Sequence, residues 1–334
     1  MPRSAEGKGV RKMIKGMYAL GIMGLIGGWL AGAGHAGAAE PLLAFPVISD
    51  VHAQSFDELA AQKLQAALAD LNEVNPQADA LIVNGDLGDG SPRDYAALSR
   101  ILQKTPHPRT LFFTIGNHEY YQAWHDQSGK WNMPAFPNGE TEAASIRRFL
   151  QLTGEPTVYY DKWLNGYHFI FLGSERYRQS DSQMGEDAYL SAGQLEWLQE
   201  RLQAGGEPAK PVFVFLHQPL PDTVSGSGAE RGVVQHRELA AILGRYPQVI
   251  LFSGHTHARL GMAQTMVRDR FTMIGSSSVY EPYDDDGQRV PQKLRSSEGL
   301  YVEVYEDRVM LRGRDFTHQK WIPEVQFKWE PTLP

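Results

Sequence analysis

Ala80-Leu81-Ile82-Val83-Asn84-Gly85-Asp86 decides how this chain is read. Four apolar residues, too few for a helix and rich in β-branched types, run into a glycine–aspartate pair. The same junction occurs on either side. Leu42 to Ile48 ends in Ser49-Asp50-Val51-His52, and Thr110-Leu111-Phe112-Phe113-Thr114-Ile115 ends in Gly116-Asn117-His118-Glu119. Between these runs the apolar spacing becomes helical. Phe56 to Leu71 places Leu59, Leu64, Leu68 and Leu71 on one face after an Asp57-Glu58 start, and Ser91-Pro92 opens a helix to about Gln103. Strands alternating with helices predict an α/β domain whose sheets are covered by helices.

The alternation continues outward. Val158-Tyr159-Tyr160 and Tyr167 to Leu172 flank Asn165-Gly166, a hairpin signal. Ser191 to Leu202 is an amphipathic helix, and Val212 to Leu216 is a strand delivering His217. Gln235 to Leu243 is helical, and Val249 to Phe252 delivers Gly254-His255-Thr256-His257. Phe271 to Ile274, Leu300 to Tyr305 and Val309 to Arg312 then read as strands, which suggests a mixed or second sheet. With no internal repeat or low-complexity linker, residues 40–325 read as one domain. All five polar blocks directly follow an apolar strand. Ligand sites of open α/β sheets form beyond the carboxyl ends of strands, so the blocks are expected at a common edge.

The whole chain has 334 residues and a formal charge of −7. Residues 1–38 hold Arg3, Lys8, Arg11, Lys12 and Lys15 against Glu6, so the remainder is more acidic still. Such a body has no general field for holding a nucleic-acid duplex. There is no cysteine, which excludes disulfides, thiolate metal sites and cysteine nucleophiles. The basic start, the apolar stretch Met17 to Leu30 and the small residues Ala36-Gly37-Ala38-Ala39 have the layout of a secretory signal peptide over 1–38, cut after Ala38 or Ala39. An uncleaved membrane anchor is the alternative, although the stretch is short and glycine-rich for a span. The expected location is extracytoplasmic, secreted or periplasmic, with membrane contact only through an uncleaved leader. No protein partner is evident.

Five histidines (His52, His118, His217, His255, His257), two aspartates (Asp50, Asp86) and Asn117 converging at one edge make a metal site the first expectation. Imidazole nitrogen mixed with carboxylate and amide oxygen suits zinc, iron or manganese better than calcium or magnesium. The donors are too many for one ion. Two ions sharing a carboxylate would use them, and paired ions hydrolyse phosphate esters by polarising phosphoryl oxygens and generating a hydroxide near neutral pH.

The ordered blocks Asp-x-His, Gly-Asp, Gly-Asn-His-Glu, a lone His and Gly-His-x-His, spanning 50–257, resemble those of the calcineurin-like metallophosphoesterases. The resemblance implies a two-sheet β-sandwich flanked by helices. It implies that Asp50, His52, Asp86 and His257 hold a first metal ion. Asp86, Asn117, His217 and His255 would hold a second, so that Asp86 bridges. The two divalent or trivalent ions would be Mn, Fe or Zn. His118 would stand over the phosphate as the catalytic group, with Glu119 as partner for its ring. Purple acid phosphatases carry a tyrosine ligand three residues beyond the bridging aspartate. Asp89 occupies that position here, so the resemblance is to the non-purple branch, alongside cyclic-nucleotide phosphodiesterases. Asp89 itself reads as a turn residue. The implied function is an exported hydrolase of a small phosphate ester, diester or monoester.

Bland readings exist for each block alone. Asp50 and Asp86 could cap helices, Asn117 could serve a turn and His217 could be a loop histidine. Five such coincidences in order do not hold together. His107, His125, His168, His236 and His318 fit no ligand spacing and read as surface or packing residues, His125 lying nearest the site blocks. The stretch Tyr120 to Glu140, with Tyr120, Tyr121, Trp124, Trp131 and Phe136, is either a stacking wall for substrate or a lid with its own small core; the second is preferred. Residues 222–231 and 280–297 are expected to rim the site. Two other functions compete: a non-catalytic surface binding protein that retains the fold, for which ligands should be missing, and a metallohydrolase of another ester or amide bond.

Overall fold

The structure is a computed structural model that describes residues 39–330 apart from 206–208, 229–231, 285–286 and 289–295. The leader expected over 1–38 lies outside the described residues, as do Asp285 and Asp286. Strands β1 (Leu43–Ile48), β2 (Leu81–Asn84) and β3 (Leu111–Thr114) run parallel, linked by helices α1 (Glu58–Val74) and α2 (Pro92–Lys104). Asp57 and Ser91 start these helices by accepting the backbone N–H groups of Ala60 and Asp94, the local signal read from sequence. After α3 (Glu142–Thr153) come the hairpin β4 (Tyr160–Leu164) and β5 (Tyr167–Phe171). They are followed by α4 (Ala192–Ala204), β6 (Val212–Phe215), α5 (His236–Leu243) and β7 (Val249–Ser253). The chain closes with β8 (Met266–Arg268), β9 (Thr272–Gly275), β10 (Glu298–Val304), β11 (Val309–Asp315) and β12 (Lys320–Trp329).

The described strands form two mixed sheets of six, ordered β12-β11-β10-β1-β2-β3 and β4-β5-β6-β7-β9-β8. Successive side chains of a strand face opposite ways, and the chain uses both faces. Leu43, Phe45 and Val47 of β1 meet Phe213 and Phe215 of β6 and Ile250 and Phe252 of β7 in a core between the sheets. The alternate residues Ala44 and Ile48 pack under α1 and α2, while Val212, Val214, Val249 and Leu251 pack under α4 and α5. This is the expected helix-flanked two-sheet sandwich, and apolar runs rather than clean alternation are its sequence mark. The interior is aromatic. Phe215 stacks between Phe171 and Phe252 at 5.0 Å on each side, and Phe45 meets Phe169 and Phe213 edge-on at 5.0 Å.

Among the α-helices and strands described, three were not read from sequence: α3, β8 and β12. Strand β12 carries the folded body to Trp329, beyond residue 325. The first hairpin strand begins at Tyr160 rather than Val158 and runs through Lys162 and Trp163 to the Asn165-Gly166 turn. What matters for function is the edge where β1, β2, β3, β6 and β7 all end. Asn84 ties the two sheets together there. Its Oδ1 accepts from Thr114 Oγ1 at 2.8 Å, and its amide nitrogen donates to the carbonyls of Leu216 (3.4 Å) and Phe252 (3.3 Å).

Candidate metal centre

The turns leaving this edge are tight. Asp50, His52, Asp86, His255 and His257 all have positive φ, between 42° and 66°, a region non-glycine residues enter at a cost of about 1 kcal/mol or more each. Hydrogen bonds between the blocks hold them. Asp50 takes the backbone N–H of His255 at 3.2 and 3.1 Å, and Asp86 Oδ1 takes that of His118 at 3.0 Å. Each carboxylate thus pins a turn from another block. Gly116 is required by the same closeness, since a Cβ there would stand 2.6 Å from the Asp86 backbone nitrogen.

The result is two groups of donors, all buried. Asp50, His52, Asp86 and His257 form one, and Asp86, His217 and His255 form the other; in each, donor atoms lie within 4.8 Å of one another. Asp86 belongs to both. His52 Nε2 lies 3.2 Å from His257 Nε2, which in turn lies 3.0 Å from Asp50 Oδ1. His217 Nε2 lies 3.1 Å from Asp86 Oδ2. Asn117 joins the second group, its Oδ1 being 3.0 Å from His255 Nδ1. Two rings are fixed in the tautomer a cation needs. His217 Nδ1 donates to the Asn84 carbonyl and His257 Nδ1 to the Glu281 carbonyl, each at 2.7 Å, leaving both Nε2 atoms turned inward. Imidazole nitrogens crowded around two carboxylates, one of them common to both groups, fit a pair of metal ions.

The electrostatics of the metal-free chain agree. Burial pushes the Asp50 carboxyl up, but the charges of His257 and His217 outweigh it and hold it at about 2. Burial pulls His217 down, but Asp86 and Asp50 lift it to about 10. Burial and the neighbouring His118 charge drop His52 to about 3. The site therefore keeps its carboxylates ionised and holds a proton on His217, which an entering ion would displace.

His118 sits at the edge of this cluster with its side chain 23% exposed and Nε2 3.9 Å from Asp86 Oδ2. Its ring stacks on Tyr121 at 3.8 Å and meets His52 edge-on at 4.5 Å. Two sequence readings need correction here. Glu119 does not partner the His118 ring. Fully buried, it takes the backbone N–H groups of Asp86 (3.1 Å), Leu87 (2.8 Å) and Gly116 (2.6 Å), because its short 3-10 helix (His118–Trp124) directs it back under the turns. The ring partner is Asp89, whose Oδ1 accepts from Nδ1 at 3.0 Å. Asp89 is thus a buried partner of the site and more than a turn residue. Its other oxygen lies 3.4 Å from Nε2 of His125, so His125 also belongs to the site's support.

Glu186 and Asn84 were missed altogether. Glu186 Oε2 accepts from Asn117 Nδ2 at 2.9 Å across 69 residues of sequence, and no pattern marks it. Asn84 did carry a signal, a polar residue closing an apolar strand immediately before Gly85-Asp86. Around the rim, Tyr283 stacks on His257 at 4.9 Å and Tyr280 lies 5.6 Å from His52. Gly226 packs on Thr256, so the described parts of both rim loops touch the site blocks. The Tyr120–Glu140 stretch has its own aromatic packing: Trp124 stacks on Phe136 at 4.0 Å and on Trp131 at 5.6 Å, and Tyr120 stacks on Tyr177 at 5.5 Å.

Comparison with known proteins places this arrangement. A curated 3',5'-cyclic-nucleotide phosphodiesterase of Nostoc sp. (strain PCC 7120) is 27% identical over 219 residues, covering 63% of this chain and 70% of its own. The crystal structure of a dimetal phosphatase from Danio rerio superposes with a TM-score of 0.63 at 15% identity, covering 88% of this chain and all of the other. A purple acid phosphatase from yellow lupin (Lupinus luteus) seeds gives a TM-score of 0.57 at 10% identity over 86% of this chain and 53% of its own length. At such identities the two structures establish the fold. The sequence profile described as calcineurin-like phosphoesterase matches residues 44–259, the stretch that contains every donor described above, and the chain belongs to that family.

Proposed function

We propose that the protein hydrolyses small phosphate esters with two metal ions of the Mn, Fe or Zn type, with phosphodiesters as the preferred class. The observation that carries this is the pair of donor groups sharing Asp86, with His118 alongside but outside both. The complete donor set stands against a non-catalytic binding protein. The choice of diesters follows the curated relative. Ions bound there would polarise the phosphoryl oxygens and furnish a hydroxide near neutral pH.

The protein's own work is positional. Asp50, His52 and His257 would hold one ion, Asn117, His217 and His255 the other, with Asp86 between. Asp89 holds the Nδ1 proton of His118, so in the charged ring the second proton, on Nε2, is the one offered to the leaving oxygen. In the metal-free chain burial pulls the His118 pKa down, but Asp86 and the Asp89 hydrogen bond lift it to about 9. Ions neutralising Asp86 would bring it back toward working pH, where a general acid is most effective.

The reading is tested by assaying the chain with bis-p-nitrophenyl phosphate and p-nitrophenyl phosphate after loading with Mn²⁺, Zn²⁺ or Fe. Turnover that Asp86→Ala abolishes is expected; no turnover with any of the three metals would refute the reading. His118→Ala should retain both ions and lose most of the rate. Export is part of the proposal and rests on the sequence of residues 1–39 alone. N-terminal sequencing of protein recovered from outside the cytoplasm should begin at Ala39 or Glu40. No helix among the described residues is long and apolar enough to cross a membrane.

A further inference from the structure

Asn117 presents a problem of symmetry. The two ends of a carboxamide have the same shape, and only the oxygen can serve a cation. Something must decide which end faces the site. Glu186 Oε2 lies 2.9 Å from Asn117 Nδ2, and a carboxylate with no proton can only accept. The Tyr121 hydroxyl lies 3.1 Å from the same Glu186 oxygen and 3.3 Å from Asn117 Nδ2. Its one hydrogen goes to Glu186, so toward Asn117 it offers a lone pair. Both hydrogens of the amide nitrogen therefore have acceptors on the side away from the site, and Oδ1 is left facing His255 Nδ1 at 3.0 Å.

Glu186 is itself held. Arg178 donates to its Oε1 at 2.8 Å and the Tyr177 hydroxyl lies 3.1 Å from both oxygens. Its backbone carbonyl accepts from Gln218, the neighbour of His217, at 3.2 Å. The same Tyr121 whose hydroxyl closes this network stacks its ring on His118. One carboxylate thus bears on a donor of the second group and on the wall behind the proton donor.

We propose that Glu186, acting with Tyr121, is a positioning residue that polarises the choice of Asn117 rotamer so that the amide oxygen, not the nitrogen, faces the second metal position. A flip would set the amide oxygen against the Glu186 carboxylate and leave the nitrogen's hydrogens pointing at the cation. The inference rests on the two-metal reading above.

The test is the number and affinity of ions bound, followed by calorimetric titration of the metal-stripped full chain with Mn²⁺. In Glu186→Ala the weaker of two sites should lose affinity by about 10–100-fold, the range usual for residues that orient a metal ligand, while the tighter site is little changed. Glu186→Gln, which can still turn an oxygen toward Asn117 Nδ2, should recover part of the loss. A swap distinguishes this from a general loosening of the fold. Asn117→Asp alone sets two carboxylates against each other and should bind the second ion poorly, whereas Asn117→Asp with Glu186→Gln restores a donor–acceptor pair and should bind it better. Two ions in Glu186→Ala with wild-type affinities, or no recovery in the double variant, would overturn the inference. Failure of the wild-type chain to bind two ions would instead refute the two-metal reading.

Discussion

Asp89 lies between two imidazoles, 3.0 Å from His118 Nδ1 and 3.4 Å from His125 Nε2, and those contacts are unequal. The first fixes the ring that faces the substrate position; the second braces the carboxylate from behind. Asp89→Asn should lower kcat by about 10–100-fold with metal content unchanged, because a supporting partner is lost but no donor. Its pH–rate profile should show the His118 limb at lower pH, since a neutral amide no longer favours the charged ring. His125→Gln should cost less than Asp89→Asn; a larger cost would mean that His125 does more than brace Asp89 and itself acts on the substrate. Glu119 has a different duty. Glu119→Gln puts an NH2 against backbone N–H groups it cannot satisfy, so the chain should lose about 1–3 kcal/mol in urea unfolding and bind metal more weakly, the variant failing through its turns rather than through proton transfer. These two residues show what sequence can reveal at this scale. The donors were legible because each ends an apolar strand. Partners were not, because a hydrogen bond such as Asn117–Glu186 joins loops with no shared spacing.

The elements legible in sequence were those with an apolar run or an amphipathic face: β1, β2, β3, β6, β7, β9, β10, β11 and the helices α1, α2, α4 and α5. The ones missed lack those marks. In β12 most side chains are at least partly exposed, and Pro323 interrupts it, as an edge strand tolerates. β8 is a three-residue edge strand. Helix α3 buries only Ser145 and Phe149 fully, so its stripe is faint, although Thr141 caps it. The hairpin β4–β5 was located by its turn, and it also holds an element-scale titration. His168 on β5 donates from Nε2 to Asp161 at 2.8 Å and stacks on Trp163 at 4.4 Å, while its buried Nδ1 has no hydrogen-bond partner among the described residues. A second proton would have to sit on that nitrogen, and burial accordingly holds the pKa below the ordinary 6.5 against the pull of Asp161. The folded state then binds fewer protons here than the unfolded chain. Stability is fully present above pH 6.5 and is lost as pH falls through the depressed folded value. Urea unfolding of the metal-stripped chain from pH 7.5 to pH 5 (about the range where histidines titrate) should show that loss, and His168→Gln should flatten it. An unchanged slope would place the titration elsewhere.

Across the whole molecule, the donors are divided between the sheets. Asp50, His52, Asp86 and Asn117 follow strands of one sheet, and His217, His255 and His257 follow strands of the other. Beneath them the sheets are joined by the aromatic core and by Asn84, but at the edge itself buried carboxylates stand close to one another and to several imidazoles. Ion binding would relieve that crowding and cross-link the sandwich, and because the unfolded chain cannot assemble the site, binding free energy becomes folding free energy. An ion present at a hundred times its dissociation constant contributes about 2.7 kcal/mol, so two would add roughly 5 kcal/mol, a large share of ordinary domain stability. Removing the ions with a chelator should therefore lower the Tm by several degrees or more, and Mn²⁺ should restore it in a concentration-dependent way. Asp86→Ala should lack this response. It removes a buried charge from the metal-free cluster but also the carboxylate common to both groups, so its Tm should respond little to either chelator or metal. If wild type and Asp86→Ala showed the same metal-dependent shift, the ions would be binding elsewhere and the shared-carboxylate architecture would be wrong.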